Sequence, residues 1–259
     1  MRPADNATSS RIRCAQFPEN GMALKLGLVG IGKIARDQHI PALAADPRFE
    51  LAACASRNAR VEGVASFASV EAMLAEMPSL DAISICTPPN AHFEAALAAL
   101  RAGKHVMLEK PPAATTRQIA LLQAEAARHG RTLFQTWHSR FGAGVDAARD
   151  WLRGRTLTGG TITWKEDVYE WHPGQQWIWD AGGLGVFDPG INALSVLTEV
   201  LAEEAFVHKA VLEFPENQQA PIAAHLDLRT EAGVTVNAEF DFRQKGEQIW
   251  DIELVTTTG

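Results

Sequence analysis

The sequence predicts an α/β protein in two parts: a doubly wound parallel sheet, then an α+β domain on a mainly antiparallel open sheet. Three observations carry that prediction. Apolar runs without polar alternation recur between amphipathic stretches from Leu24 to about Trp137, the pattern of strands covered on both faces by crossover helices. A glycine-rich turn, GIGKIA, follows the first of those runs directly. Beyond Trp137 several long strand-like runs follow one another with only turn residues between them. The expected division is a disordered tail over 1–21, a dinucleotide-binding domain over 22–137, and a substrate domain over 138–259.

In chain order, LKLGLVG reads as a buried strand, and GKIARDQH opens a helix that Pro41 should interrupt. ELAACAS and the short GVASF are strands, and SVEAMLAEM is a brief helix with Ser69 as its N-cap. DAISICT, NAHFEAALAALRAG, KHVMLE, TTRQIALLQAEAARHG and TLFQTW continue the alternation, with Gly103 and Gly130 where helix stops belong. AGVDAARDWLRG is a helix, TITWKEDVYEW a strand, and a further helix covers ALSVLTEVL. AFVHKAVLEF, IAAHLDLRT, VTVNAEFDF and QIWDIELV complete the second sheet.

With 259 residues, 46% of them hydrophobic, the chain can bury a sizeable core. A net charge of −7 without runs of like charge argues against nucleic acid or an anionic membrane as partner and leaves small soluble ligands. Cys14, Cys54 and Cys86 lack metal-type spacing and fit a reducing, cytoplasmic setting. The eight histidines show no ligand spacing, so no metal is expected. The polar opening segment lacks the apolar centre of a secretory signal, and Met22 stands as an alternative start.

GIGKIA fits G-x-G-x-x-A at a strand-to-helix turn, the Rossmann dinucleotide signature. Gly30 permits the tight turn and Gly32 lets backbone approach a pyrophosphate. Lys33 and Ile34 start the helix whose N–H groups face that ligand, and Ala35 allows close packing. Glu50 lies at the usual count for a ribose-binding acid but begins its strand, whereas ligands sit at strand C-termini. There the sequence has Ser56 and Arg57, a hydroxyl and a guanidinium suited to a 2′-phosphate. NADP should therefore serve at least as well as NAD.

The run from TPPNAH through AGKHVMLEKP resembles the glucose-fructose oxidoreductase and inositol dehydrogenase family, whose members oxidise sugars and cyclitols with a pyridine nucleotide. Thr87 and Pro88 end the fourth strand at the carboxyl edge where ligands bind, and with His92 and Glu109 they are expected on the cofactor side; His138, after the last strand of the first half, fits either the cofactor side or an interdomain contact. The resemblance places Lys110 between nicotinamide and substrate, at the reacting hydroxyl. In GGLGVFDPGINAL the chain alone suggests Pro189 as first helical residue, Asp188 as N-cap, and Asn192 four residues on along the same face. The resemblance makes Asp188 catalytic with Lys110. The family has His where this chain has Asn192, which removes the motif's imidazole and leaves Asp188 to take a proton directly or with Lys110. The combination of CASR, TWHSR, WKED, WHPGQQWIW and GGLGVFDPGINALS is similar to the bacterial aldose 1-dehydrogenases acting on L-arabinose and D-galactose.

WKEDVYEWHPGQQWIW reads independently as a sugar site, with Trp164, Trp171, Trp177 and Trp179 for C–H faces and Glu166, Asp167, His172, Gln175 and Gln176 for hydroxyls. Strand alternation separates Glu166 from Asp167, and Glu166 and His172 are the favoured pair. The implied chemistry is oxidation of an aldopyranose at C1, with Lys110, Glu166, His172, Asp188 and Asn192 on the sugar. Rival readings are a cyclitol or diol dehydrogenase of the same family and a sensor that binds nucleotide and sugar without turnover. The sheet-forming second half is compatible with a homo-oligomer. The ending VTTTG falls where the resemblance implies further chain, so that half is expected to be incomplete.

Overall fold

The structure, a computed structural model, describes residues 22–259. The expected tail over 1–21, including Cys14, lies outside the described residues.

Six strands form the first sheet: β1 (Leu24–Val29), β2 (Phe49–Ala55), β3 (Ala65–Phe67), β4 (Ala82–Ile85), β5 (His105–Leu108) and β6 (Leu133–Gln135), in the order β3-β2-β1-β4-β5-β6. The β2–β3, β1–β2 and β1–β4 pairs are parallel. Leu28, Ile83 and Ile85 are fully buried, each contributing about 1.5–3 kcal/mol by removal from water. The order reverses direction between β1 and β4, so the chain ends leaving these two strands, at Gly30 and Thr87, form the switch point where ligands of such sheets bind.

Between β1 and β2 the expected break at Pro41 is not a break. A π-helical turn over Ala35–His39 leads straight into α1 (Ile40–Ala45), with the Ile40 N–H bonded to the Ala35 carbonyl. Pro41 has no N–H to return to the previous turn and its ring would crowd an α-helical carbonyl there; the wider turn ahead of it removes both demands. α2 (Val70–Glu76) starts on Ser69, whose Oγ accepts from the Ala72 N–H at 3.2 Å. α3 (His92–Arg101) and α4 (Thr116–His129) end before Gly103 and Gly130, both at positive φ.

The later segment contributes α5 (Val145–Leu152), β7 (Leu157–Lys165), α6 (Val168–Trp171), α7 (Phe187–Val200), β8 (Ala205–Glu213), β9 (Ala223–Thr230), β10 (Thr235–Asp241) and β11 (Ile249–Thr256). Its sheet runs β11-β7-β10-β9-β8. Three pairs are antiparallel and β7–β10 is parallel, so the sheet is mixed. Buried residues alternate along β9 and β10, as a sheet covered on one face requires. Their inward side chains, with Ile162, Ala193 and Leu197, build the core under α7. Gly190 makes that contact possible, because a Cβ there would stand 3.0 Å from the Phe240 ring.

Compactness divides the described chain into two units. One holds residues 22–87, Glu94–Met107 and Leu121–Phe134; the other holds Pro88–Phe93, Leu108–Ala120 and Gln135–Gly259. The segment carrying Lys110 therefore packs with the second unit although it follows a strand of the first sheet.

Candidate functional site

Gly30 leaves β1 with φ +87°, and a Cβ there would lie 2.7 Å from the Thr87 nitrogen and 2.8 Å from the Cys86 carbonyl carbon. Both conformation and space thus demand glycine. Around Gly32 no atom stands within 4 Å of the Cβ position, so its backbone faces open space. Ala35 is fully buried against the β1 core. Lys33 pairs with Asp37 one turn on, and Ile34 is 38% exposed. An open Gly32 backbone at the head of a helix, beside the switch point, fits a dinucleotide pyrophosphate. Ser56 and exposed Arg57 follow β2 at its C-terminal end, whereas Glu50 is the second residue of β2, at the opposite end. Thr87 and Pro88 follow β4.

The second unit gathers a different kind of site. Lys110 Nζ lies 3.1 Å from Asp188 Oδ2 and donates to the Asp188 carbonyl at 2.8 Å. The two side chains keep only 14% and 10% of their exposure. A lysine drawn into a nearly closed site is tolerable because charge and hydrogen bonds meet it there. His172 brings Nε2 to 3.4 Å from the same carboxylate oxygen. An imidazole therefore does reach Asp188, although the motif position is Asn192. Asn192 is half-buried, four residues beyond Asp188 on α7.

Asp188 is not the N-cap expected of it. α7 begins at Phe187 after Val186, whose N–H is bonded to the Pro221 carbonyl. Gly185, at φ +52°, brings its Cβ position to 2.1 Å from that carbonyl oxygen, so the loop before β9 sets where the helix can start. Asp188 sits inside the first turn, with its carboxylate turned to Lys110 and His172 instead of to the helix's own N–H groups.

Glu166 follows β7 and is 6% exposed. Its Oε1 accepts from the indole N–H groups of Trp164 at 3.2 Å and Trp250 at 2.9 Å. Burial pushes its carboxyl above the usual carboxylate range, against those two hydrogen bonds and the Lys110 charge; the Asp188 charge adds to the rise. Asp167 points away, caps α6 through the Tyr169 N–H, and pairs with Lys245 at 2.6 Å. The chain leaves the strand at Lys165, yet the separation of the two acids expected from alternation holds. Trp164 and Trp250 stack with centroids 5.8 Å apart, and Trp171 tilts against Trp250 at 6.1 Å. Trp177 and Trp179 pack on the sheet core, Trp179 edge-on to Phe242. Trp250, on β11, has no signal in the sequence that ties it to Glu166.

His92, expected beside the cofactor, is fully buried, with Nδ1 2.8 Å from the Pro111 carbonyl. It supports the chain just beyond Lys110, where the Lys110–Pro111 peptide is cis. Glu109 is buried and its carboxylate accepts from the Lys110 N–H at 3.2 Å. His138 follows β6; partial desolvation and then the Lys110 charge hold its imidazole below the ordinary value, with Glu109 and Asp188 opposing. Among the described residues no group of His, Cys, Asp and Glu is placed to hold a metal ion, and no helix is long and apolar enough to cross a membrane.

A glycine turn open for a pyrophosphate at the switch point, in a chain that also pairs a largely buried lysine with an aspartate, defines a dinucleotide-dependent oxidoreductase as the class. The chain belongs to the oxidoreductase family with an NAD-binding Rossmann fold, whose profile matches residues 24–136. It is 46% identical over 237 residues to galactose 1-dehydrogenase of Pseudomonas fluorescens, covering 91% of this chain and 76% of that protein. The crystal structure of D-galactose-1-dehydrogenase from Rhizobium etli, 53% identical, superposes with a TM-score of 0.85 over 92% of this chain and 77% of that one. At 24% identity the 3-ketoreductase KijD10 of Actinomadura kijaniata, solved with NADP and TDP-benzene, shares the fold, with a TM-score of 0.81 over 91% of this chain and 74% of that one.

Proposed function

We propose that the protein is an NAD(P)-dependent aldose 1-dehydrogenase that oxidises D-galactose and L-arabinose at C1 to the aldonolactone. The observation that carries this reading is the 3.1 Å contact between the largely buried Lys110 and Asp188 side chains, a cation and a base set to act on one hydroxyl. Lys110 orients and polarises the C1 oxygen, Asp188 accepts its proton, and Asn192 positions the ring. Glu166, fixed by two indoles, takes sugar hydroxyls, while Trp171 and Trp250 offer faces to C–H groups. When bound, the oxidised nicotinamide supplies the acceptor for the C1 hydride. Gly30, Gly32, Lys33 and Ile34 would hold its pyrophosphate, and Ser56 with Arg57 would hold the 2′-phosphate that distinguishes NADP. Galactopyranose and arabinopyranose share their ring hydroxyl configuration, which supports one pocket for both. A cytoplasmic enzyme with a small sugar substrate is compatible with Cys54 and Cys86, both buried and neither in a disulfide.

The test is a reduced-cofactor absorbance assay over aldoses, polyols and cyclitols, with NAD and NADP separately. D-Galactose and L-arabinose should react, with D-glucose much poorer because its inverted C4 hydroxyl leaves a polar group of the pocket unpaired. Inositol turnover without aldose turnover would replace the substrate; tight sugar binding without reduction would make the protein a sensor.

A further inference from the structure

Three arginines of the first unit carry charge that the fold does not use. Arg36, Arg57 and Arg60 are exposed, and among the described residues no side chain pairs with their guanidinium groups. By contrast Lys33, at the same turn, is met by Asp37, and Arg48, just before β2, by Asp46. From Ala52 to Val61 the chain has no acid, and Glu62 is the first carboxylate after β2.

An unpaired arginine on a surface is ordinary by itself. What distinguishes Arg36 and Arg57 is where the backbone puts them. The Gly30 N–H donates to the Ala55 carbonyl at 2.9 Å, and Val29 stands level with Ala55 in the β1–β2 pairing. Ser56 and Arg57 therefore leave the sheet beside the glycine turn. Arg36 starts the helical segment on the other side of that turn, its N–H bonded to the Gly32 carbonyl at 3.2 Å. Neighbours fix how this segment is rotated. His39 Nδ1 lies 3.1 Å from Ser84 Oγ on β4, so the side shared by Ala35 and His39 turns toward β4. Arg36 and Ile40 stand one position on, four residues apart on a common side. Ile40 and Leu43 pack on the core that also takes Leu51, Ala59 and Val61, and α1 lies against β2. The side that carries Arg36 thus leans toward the end of β2, where Arg57 emerges.

A dinucleotide with its pyrophosphate at Gly32 runs its adenosine toward that strand end. We propose that Arg36 is a second specificity-determining residue for the cofactor, closing on the 2′-phosphate of NADP from the helix while Arg57 holds it from the strand. This rests on the dinucleotide reading of the turn and on Arg57 at the 2′-phosphate, and it is independent of the sugar. A phosphate monoester offers three acceptor oxygens, and each guanidinium fork can give two parallel N–H bonds to it. Both arginines are exposed, so with NAD in place they stay in water at no cost. The pair therefore favours NADP without excluding NAD. Arg60 lies further along the loop, beyond Ala59, and measures what an unpaired charge does there outside the clamp.

The experiment is calorimetric titration of the full chain with adenosine 2′,5′-bisphosphate and with 5′-AMP, ligands that differ by the 2′-phosphate and need no turnover. Arg36→Ala should weaken the bisphosphate about tenfold and leave 5′-AMP within about twofold, the loss of one charge-assisted pair. The position is exposed and alanine favours helix, so the melting temperature should hold. Arg36→Lys should recover only part of the loss, because it restores the charge without the fork. Arg60→Ala should change neither ligand by more than about twofold, the scale of a solvated surface charge. In the Arg36→Ala, Arg57→Ala double variant the two nucleotides should bind alike. Bisphosphate affinity that survives Arg36→Ala but falls in Arg57→Ala would overturn the proposal and leave Arg57 alone on the phosphate. Equal losses in Arg36→Ala and Arg60→Ala would overturn it as well, since the preference would then come from the general positive field of the loop. Equal weakening of both nucleotides in Arg36→Ala would move that arginine off the 2′-phosphate. A wild type that binds neither nucleotide would sink the cofactor reading of the turn and this role with it, an outcome distinct from any change confined to the bisphosphate.

Discussion

The turn at Gly30 and the cluster at Asp188 are built in opposite ways. The turn is backbone: one residue at φ +87°, packed against the Thr87 nitrogen, and an open Gly32 beside it. The cluster is side chain: Lys110 after β5, Glu166 after β7, His172 after α6, Asp188 in α7 and Trp250 on β11 converge within the second unit. A site made of backbone fails when an atom is added. One made of side chains fails when a charge is removed, and it can lose its chemistry while keeping its shape.

The sharpest break in that comparison comes from the cluster. Asp188→Asn preserves volume and removes the proposed base, so turnover should fall by about 10² or more in a steady-state assay with the melting temperature little changed. Lys110→Met should do similar harm, and the double variant should lose less than the product of the two, because the proposed reaction has both groups act on one oxygen. If Asp188→Asn keeps full turnover while Lys110→Met abolishes it, the lysine is the base.

On the turn, Gly30→Ala adds an atom that meets main chain at 2.7 Å and forces a positive φ worth about 1–3 kcal/mol of strain on alanine. Calorimetric titration should show NADP binding weakened by roughly 10-fold to 100-fold, with sugar contacts in the other unit intact. Unchanged affinity would mean that the loop can re-form without its glycine.

Arg57→Ala should have a smaller and selective effect, raising KM for NADP about tenfold and leaving NAD nearly alone, as expected for one lost phosphate pair. Equal effects on both cofactors would remove Arg57 from the 2′-phosphate.

The gentlest test concerns Glu166. Because burial raises its carboxyl above the unfolded value, its stabilising contribution is complete below the ordinary carboxylate range and is lost as pH rises through the raised value. Glu166→Gln can still accept from both indoles and never ionises, so its melting temperature relative to wild type should improve from acid toward neutral pH. A pH-independent difference would mean that the carboxyl is not held neutral by burial.

The two sites also differ in how much of each could be read from residues alone. The glycine turn, the Ser69 cap and the alternation of strands and helices are signalled by neighbours in sequence, and those readings stand in the structure. Where a local rule met a tertiary demand it gave way. Pro41 is absorbed by a π-helical turn, and Asp188 is denied its cap because the Val186 N–H, bonded to the Pro221 carbonyl, goes with a start of α7 two residues earlier. The parallel β7–β10 pairing is likewise a matter of topology, which turn residues do not announce. Trp250 meets Glu166 across 84 residues, and nothing near either one points to the other. Gln175 lies three residues beyond His172 and two before Trp177, but only the folded turn brings one oxygen to both rings.

The two indoles that brace Glu166 give the protein an optical consequence. Trp164 and Trp250 both donate to a carboxyl whose charge can change, and they stack on one another at 5.8 Å, so their excited states share its field. Ionising Glu166, or a sugar hydroxyl taking over its oxygens, should alter the emission of this pair, while Trp151, away on α5, supplies a steady background. If the proposed sugar site at Glu166 is right, the intrinsic fluorescence of the unlabelled chain becomes a gauge of its occupancy that needs no turnover, and one that Trp250→Phe should largely silence.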